Sequence, residues 1–261
     1  MNLNIYQVDA FASEVFKGNP AAIVPLDHWL EDKIMQNIAT ENNLSETAFF
    51  VKDEKQFHIR WFTPLCEVDL CGHATLASAH VILRHLGFKG KEIEFKSQSG
   101  NLRVFVNDGR YYLDFPSWVA KPAHLNEDLE EIFGKMPSEV YHYRDLLLVF
   151  DSEEYISSMK PDMDLMKNLK YLGCIVTAPS SEYDFVTRFF APNAGILEDP
   201  ATGSAQCTLI PYWSERLHKD KMIAFQASKR SGVIYCELHG DRVYIGGYAV
   251  DYLKGNIHIA S

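Results

Sequence analysis

Two short stretches of this chain carry residue types that could do chemistry. One reads E-D-P-A-T-G-S-A-Q-C-T over residues 198–208, a few residues after the strand-like run T-R-F-F-A-P. An acid, a proline, a glycine and hydroxyls ahead of a small-residue helix can serve capping alone, since helix starts favour such residues. They can also build an anion site. First-turn amides have no intrahelical partner, the helix dipole adds positive potential, and glycine admits a ligand close to the backbone. The other stretch is L-C-G-H-A-T-L-A from Leu70, where Gly72 and His73 stand at the start of an alanine-rich run.

The two stretches sit in segments that repeat one another. W-F-T-P-L-C-E-V-D-L-C-G-H-A-T-L-A-S-A from Trp61 and R-F-F-A-P-N-A-G-I-L-E-D-P-A-T-G-S-A-Q-C from Arg188 each offer an aromatic strand end, a proline, an aspartate, a glycine turn and a small-residue helix. Set at Asp69 and Asp199, the alignment places Cys71 opposite Ala201, His73 opposite Gly203 and Ala74 opposite Ser204. The flanking elements repeat in the same order, which points to duplication.

Periodicity supplies the elements that must position these residues. Strands are expected at 3–9 and 21–26, a helix at 31–41, strands at 47–52 and 57–62, and then the run H-A-T-L-A-S-A-H-V-I-L-R-H-L-G, apolar on nearly every side and therefore a buried helix stopped by Gly87. Strands at 92–96, 102–106 and 110–115 follow, the last two joined across N-D-G as a tight hairpin. The aperiodic stretch 115–127, with two prolines, is the linker. Beyond it come a helix at 128–133, strands at 140–142 and 146–150, helical segments to about 169, strands at 173–178 and 184–190, the second small-residue helix, and three strands between 223 and 248. Domains are therefore expected at 1–116 and 117–249, with a C-terminal strand about 250–261 returning to the first. Two such halves would present their helix starts to one another across an inter-domain cleft, where small-molecule sites concentrate. A small carboxylate suits two helix N-termini.

Composition excludes other classes. The chain has 261 residues, 47% of them hydrophobic and 23% charged, with a formal net charge of -10. That balance describes a packed protein and repels phosphodiester backbones, so nucleic acid is not an expected partner. No run approaches a membrane span and the N-terminus alternates like a strand, so a cytoplasmic protein is expected. The cysteines at 66, 71, 174, 207 and 236 are odd in number and scattered, which argues for free thiols. Neither C-x-x-C nor H-x-x-x-H spacing accompanies Cys66, Cys71 and His73, so no metal site is expected.

G-N-P-A-A-I-V from Gly18, N-L-S-E-T-A-F-F from Asn43, L-C-G-H-A-T-L-A from Leu70 and D-P-A-T-G-S-A from Asp199 stand in both halves in order. Together they resemble the phenazine biosynthesis PhzF-like family, and the duplicated plan more distantly resembles diaminopimelate epimerase. The resemblance implies an α+β fold of two pseudo-symmetric domains, each a barrel-like sheet around a central helix. It further implies an isomerase that uses neither cofactor nor metal, and a homodimer. Its working positions fall on Glu46, His73, Asp199 and Ser204.

Each of these residues also has a plainer reading. Glu46, ahead of T-A-F-F-V, could be a solvated loop-end acid; facing a cleft it would lose solvation and hold a proton more tightly, which suits a general acid/base. His73 could simply pack. Near a helix N-terminus its neutral form is favoured, able to donate one hydrogen bond and accept another while orienting a substrate. Asp199 could be a turn or capping aspartate; its functional reading is to fix a substrate amino or hydroxyl group, or the His73 tautomer. Ser204 could be an ordinary first-turn serine, or bind a carboxylate with the amides of Gly203 and Ser204. Gly72 and Gly203 join that pocket by close approach, and Asn19 is a weaker binding candidate that could be a turn residue.

A thiol epimerase is the rival chemistry. Cys71 would be one base, but its aligned counterpart is an alanine, and Cys207 lies further along the helix. A non-enzymatic binder of a small metabolite on the same fold is the remaining alternative.

Overall fold

The computed structural model describes residues 1–53, 56–125 and 127–259; residue 126 of the expected linker and residues 260 and 261 of the expected C-terminal strand lie outside them. The described chain divides into two compact units, Met1–Phe115 with Ile245–Ser261, and Pro116–Tyr244.

In the first unit, the strand Asn2–Ala10 lies between Asn19–Leu26 and Ala249–His258, antiparallel to both. Asn19–Leu26 runs parallel to Glu46–Asp53, which pairs antiparallel with Gln56–Phe62. Gln56–Phe62 in turn pairs antiparallel with the two-residue strand Glu67–Val68 and parallel with Glu92–Ser97. Gly100–Asn107 and Arg110–Pro116 extend the sheet as a meander. The hairpin between the last two turns at Asp108 and Gly109, both with positive φ (49° and 77°), as N-D-G requires.

This barrel-like sheet wraps the helix Gly72–His85. Every residue from Gly72 to Ile82 is buried, because alanines and small hydroxyls let strands approach on all sides. The helix packs against Asn2–Ala10, Asn19–Leu26, Glu46–Asp53, Gly100–Asn107 and Ala249–His258. Ser78 and Thr75 lie in this apolar setting and donate their hydroxyls back to the carbonyls of Ala74 (2.7 Å) and Cys71 (2.5 Å), which satisfies them without water.

The second unit repeats the succession of joints. Glu139–His142 is antiparallel to Leu146–Val149, which is parallel to Cys174–Pro179; that strand is antiparallel to Phe185–Ala191. Phe185–Ala191 pairs antiparallel with the short strand Ile196–Asp199 and parallel with Lys221–Gln226, which meets Gly232–His239 antiparallel. Its central helix is Gly203–Leu217. There Trp213 stacks on Phe185 at 5.4 Å between ring centroids and donates Nε1–H to Thr177 Oγ1 at 3.0 Å. An apolar cluster under Leu129–Phe133, Glu153–Ser158 and Met163–Met166 covers the other face of the sheet with Phe133, Leu148, Phe150, Ile156, Val176 and Phe190. The fold is thus α+β, with one barrel-like sheet around one central helix in each unit.

The duplication is visible in side chains too. Arg60 forks onto Glu67, Nε to Oε1 at 2.7 Å and Nη2 to Oε2 at 2.6 Å. Arg188 forks onto Glu198 in the same way, at 2.6 and 3.0 Å. Each pair ties the strand before a central helix to the short strand that leads into it, with the bidentate geometry that makes such pairs strong.

Candidate active site

The helix starts register differently from the sequence alignment. Both central helices begin at a glycine, Gly72 and Gly203, each after an extended residue, Cys71 (φ -144°) and Thr202 (φ -109°). His73 therefore matches Ser204 and Cys71 matches Thr202, one residue away from the pairing set at the two aspartates. The second segment carries one more residue between its aspartate and its helix, which an ungapped alignment cannot show.

In the first unit the structure brings Asn19, Glu46, Cys71 and His73 together. Asn19 opens its strand, completely buried, directly after Gly18. Gly18 has φ +62°, and a Cβ there would lie 2.1 Å from the Ala10 carbonyl oxygen, so only glycine fits. Glu46 opens the neighbouring strand in register with Ala21. It follows the helix Asp32–Asn42, which ends on Asn43 in the left-handed region, so the chain turns sharply into the sheet. Glu46 is 9% exposed and His73 5%.

His73 is the centre of the group. Asn19 Nδ2 lies 3.2 Å from His73 Nδ1 and donates to it; Cys71 Sγ lies 3.5 Å from the same nitrogen. On the other side His73 Nε2 is 3.2 Å from Glu46 Oε2. With Nδ1 accepting from the amide, Nε2 carries a proton toward the carboxylate. Neither Glu46 Oε2 nor His73 Nε2 makes an aligned hydrogen bond despite the short separation. Cys71, the residue before the helix, gives no side-chain cap to the first turn.

Burial, with Glu46 adding to it, pushes the Cys71 thiol up to about 11, so near neutral pH Cys71 is a thiol. Glu46, Cys71 and His73 also offer ligand atoms within 4.8 Å of one another, a donor set that a zinc-type ion could use if the thiol ionised.

The second unit places Asp199, Gly203 and Ser204 around its own helix start. Asp199 is 8% exposed and accepts the Thr202 hydroxyl at 2.5 Å. The residue before the helix is Thr202 and not Asp199, and the Thr202 side chain makes no cap hydrogen bond. Gln226 fixes this turn: its Nε2 donates to the Asp199 carbonyl at 2.7 Å, and its Oε1 accepts the Thr202 amide at 2.8 Å. Ser204 Oγ accepts from Arg144 Nη2 at 3.3 Å, and the Arg144 guanidinium lies over Trp118. Sequence reading missed Thr202, Gln226 and Arg144. Gln226 and Arg144 reach the turn from other strands and loops and leave no local pattern, whereas Thr202 was visible as the residue before glycine.

The comparisons agree with this architecture. Residues 8–255 match the family described as phenazine biosynthesis-like protein (PhzC-PhzF). An uncharacterized isomerase of Pseudomonas aeruginosa is 49% identical over 261 residues, 100% of both chains. A crystal structure of a phenazine biosynthesis protein of the PhzF family from Enterococcus faecalis superposes with a TM-score of 0.97 at 46% identity, covering 99% of this chain and 100% of that one. A hydroxyproline epimerase from Agrobacterium vitis shares the fold alone, with a TM-score of 0.65 at 9% identity over 98% and 92% of the two chains. The fold is the diaminopimelate epimerase-like one, with a helix-centred barrel in each unit. This chain belongs to the PhzF family. Among the described residues no helix is long and apolar enough to cross a membrane.

Proposed function

We propose that this protein is a cofactor-independent isomerase of a small carboxylate-bearing metabolite, with Glu46 as the acid/base. The observation that carries the reading is the Glu46–His73 pair: two buried polar groups 3.2 Å apart, at the start of the central helix, with hydrogen-bonding capacity left over. Buried polar atoms in native proteins are nearly always satisfied, so atoms left over at such a place favour a ligand. The isomerase names of its relatives favour the same class.

In this reading Glu46 takes a proton from a substrate carbon, the electron pair moves into the adjoining unsaturated system, and Glu46 returns the proton to another carbon on the same face. Atoms and electrons balance without a further reactant. His73 orients a substrate hydroxyl or amine. Gly72 and Asn19 shape the first polar turn; the family resemblance implies working roles for Asp199 and Ser204 as well, with Gly203 between them and Arg144 beside Ser204. The resemblance also implies a homodimer.

Cys71 is a poor base for the rival thiol mechanism: burial holds it protonated, and its counterpart in the second unit is Thr202, which offers no thiol. A small-metabolite pool incubated with the protein in D₂O tests the proposal. Deuterium entering a carbon position only when the protein is present supports it. A ligand that stays tightly bound with no deuterium entering any metabolite would leave a binder.

A further inference from the structure

The far end of the first unit's central helix carries a second group of ligand-type side chains that the proposed chemistry does not use. His80 and His85 project from the helix and Asp251 from the strand Ala249–His258. His80 Nε2 is 3.1 Å from Asp251 Oδ1, and His85 Nε2 is 3.0 Å from both carboxylate oxygens. The ligand atoms all lie within 4.8 Å of one another. We propose that His80, His85 and Asp251 form a binding site for a divalent transition metal of the zinc class, with water in the fourth position.

Spacing supports this directly. Nitrogen and oxygen ligands held at 2.0–2.1 Å in a tetrahedron stand about 3.3 Å apart, so the observed contacts need open by only a few tenths of an ångström. The donor set, two imidazoles and a carboxylate, is one that zinc accepts with an open position left over.

The surroundings give the bound form its partners. His80 Nδ1 lies 3.0 Å from the Tyr111 hydroxyl, which Arg84 also approaches, so the tyrosine oxygen is placed to accept an Nδ1 proton once the ion takes Nε2. Such a partner on the far nitrogen is the usual companion of a metal-binding histidine. The His85 ring stacks on Tyr6 at 4.8 Å and 25°, which fixes its plane. The His80 side chain is 6% exposed while that of Asp251 is 45% exposed, so the site has a dry wall and an open mouth for ion and water. Arg84 opposes added positive charge, and the Asp251 carboxylate offsets it.

Metal-free, the same atoms make a hydrogen-bonded group with protons on the imidazole Nε2 atoms; the ion displaces those protons. Bound, it would fasten the last strand to the central helix.

The test uses the full chain without a histidine tag. Zinc is titrated in competition with a chromophoric chelator, cobalt(II) binding is followed by absorption, and unfolding is measured with and without zinc. The expected result is one ion per chain in the wild type, about tenfold or more weaker binding in His85→Ala and in Asp251→Ala, and a zinc-dependent rise in Tm seen only in the wild type. Equal affinity in all three proteins would overturn the site. A cobalt spectrum with a sulfur charge-transfer band that disappears in Cys71→Ser would also overturn it, placing the ion among Glu46, Cys71 and His73 instead.

Discussion

Glu46 Oε2 and His73 Nε2 face each other at 3.2 Å in a buried setting, one at the first residue of a strand and the other at the second residue of a helix. Two separate backbone devices bring them there: the left-handed turn at Asn43 and the glycine start of the central helix.

Cysteine reactivity should separate sharply. Cys66 is exposed, whereas burial pushes the thiols of Cys71 up to about 11 and of Cys174 and Cys207 up to about 12, and raises Cys236 further. Iodoacetamide near neutral pH should modify Cys66 first, read by intact mass, and leave deuterium exchange unaffected. A Cys71 adduct forming as fast as that of Cys66 would restore the case for thiol chemistry.

Two glycines with left-handed φ should respond differently to alanine. At Gly18 the added Cβ meets the Ala10 carbonyl, while at Gly87, φ +71°, it meets nothing within 4 Å. Gly18→Ala should cost about 2 kcal/mol or more and Gly87→Ala about 1 kcal/mol in denaturant unfolding. Equal costs would remove the steric argument for how Asn19 is placed.

The forked arginines should also differ. Arg188 forks onto Glu198 and in addition donates to the carbonyls of Ile156 (3.0 Å) and Met159 (2.7 Å), whereas Arg60 adds an exposed contact to Asp32 and lies over the rings of Trp29 and Phe62. Arg188→Leu, which strands a half-buried carboxylate and two carbonyls, should lose about 3 kcal/mol, and Arg60→Leu less. Thermal unfolding of both variants checks the order; a larger loss for Arg60→Leu would reverse it.

Much of this site was legible in sequence, for identifiable reasons. The alanine-rich run from His73 can only be a helix buried on all sides, and S-E-T-A-F-F with C-G-H-A-T marks Glu46 and His73 through the family resemblance. The strands Glu67–Val68 and Lys121–Pro122 were not legible, since two residues cannot show alternation. The one-residue offset between the halves was hidden because aspartates, rather than helix-starting glycines, set the alignment. The meeting of His73 with Glu46 was hidden too, since the two lie 27 positions apart in sequence and are adjacent only once the sheet forms. The arginine forks were present as R-W-F-T-P and R-F-F-A-P, each followed by a glutamate, but only strand pairing shows that they meet.

The central claim is that the Glu46 carboxylate carries the proton. The direct measurement is the rate of deuterium entry from D₂O into the metabolite that the wild type labels, repeated with Glu46→Gln and with Cys71→Ser at matched folded concentration. The account predicts a loss of roughly 10²- to 10⁴-fold in Glu46→Gln and near wild-type entry in Cys71→Ser. Undiminished labelling by Glu46→Gln would contradict it.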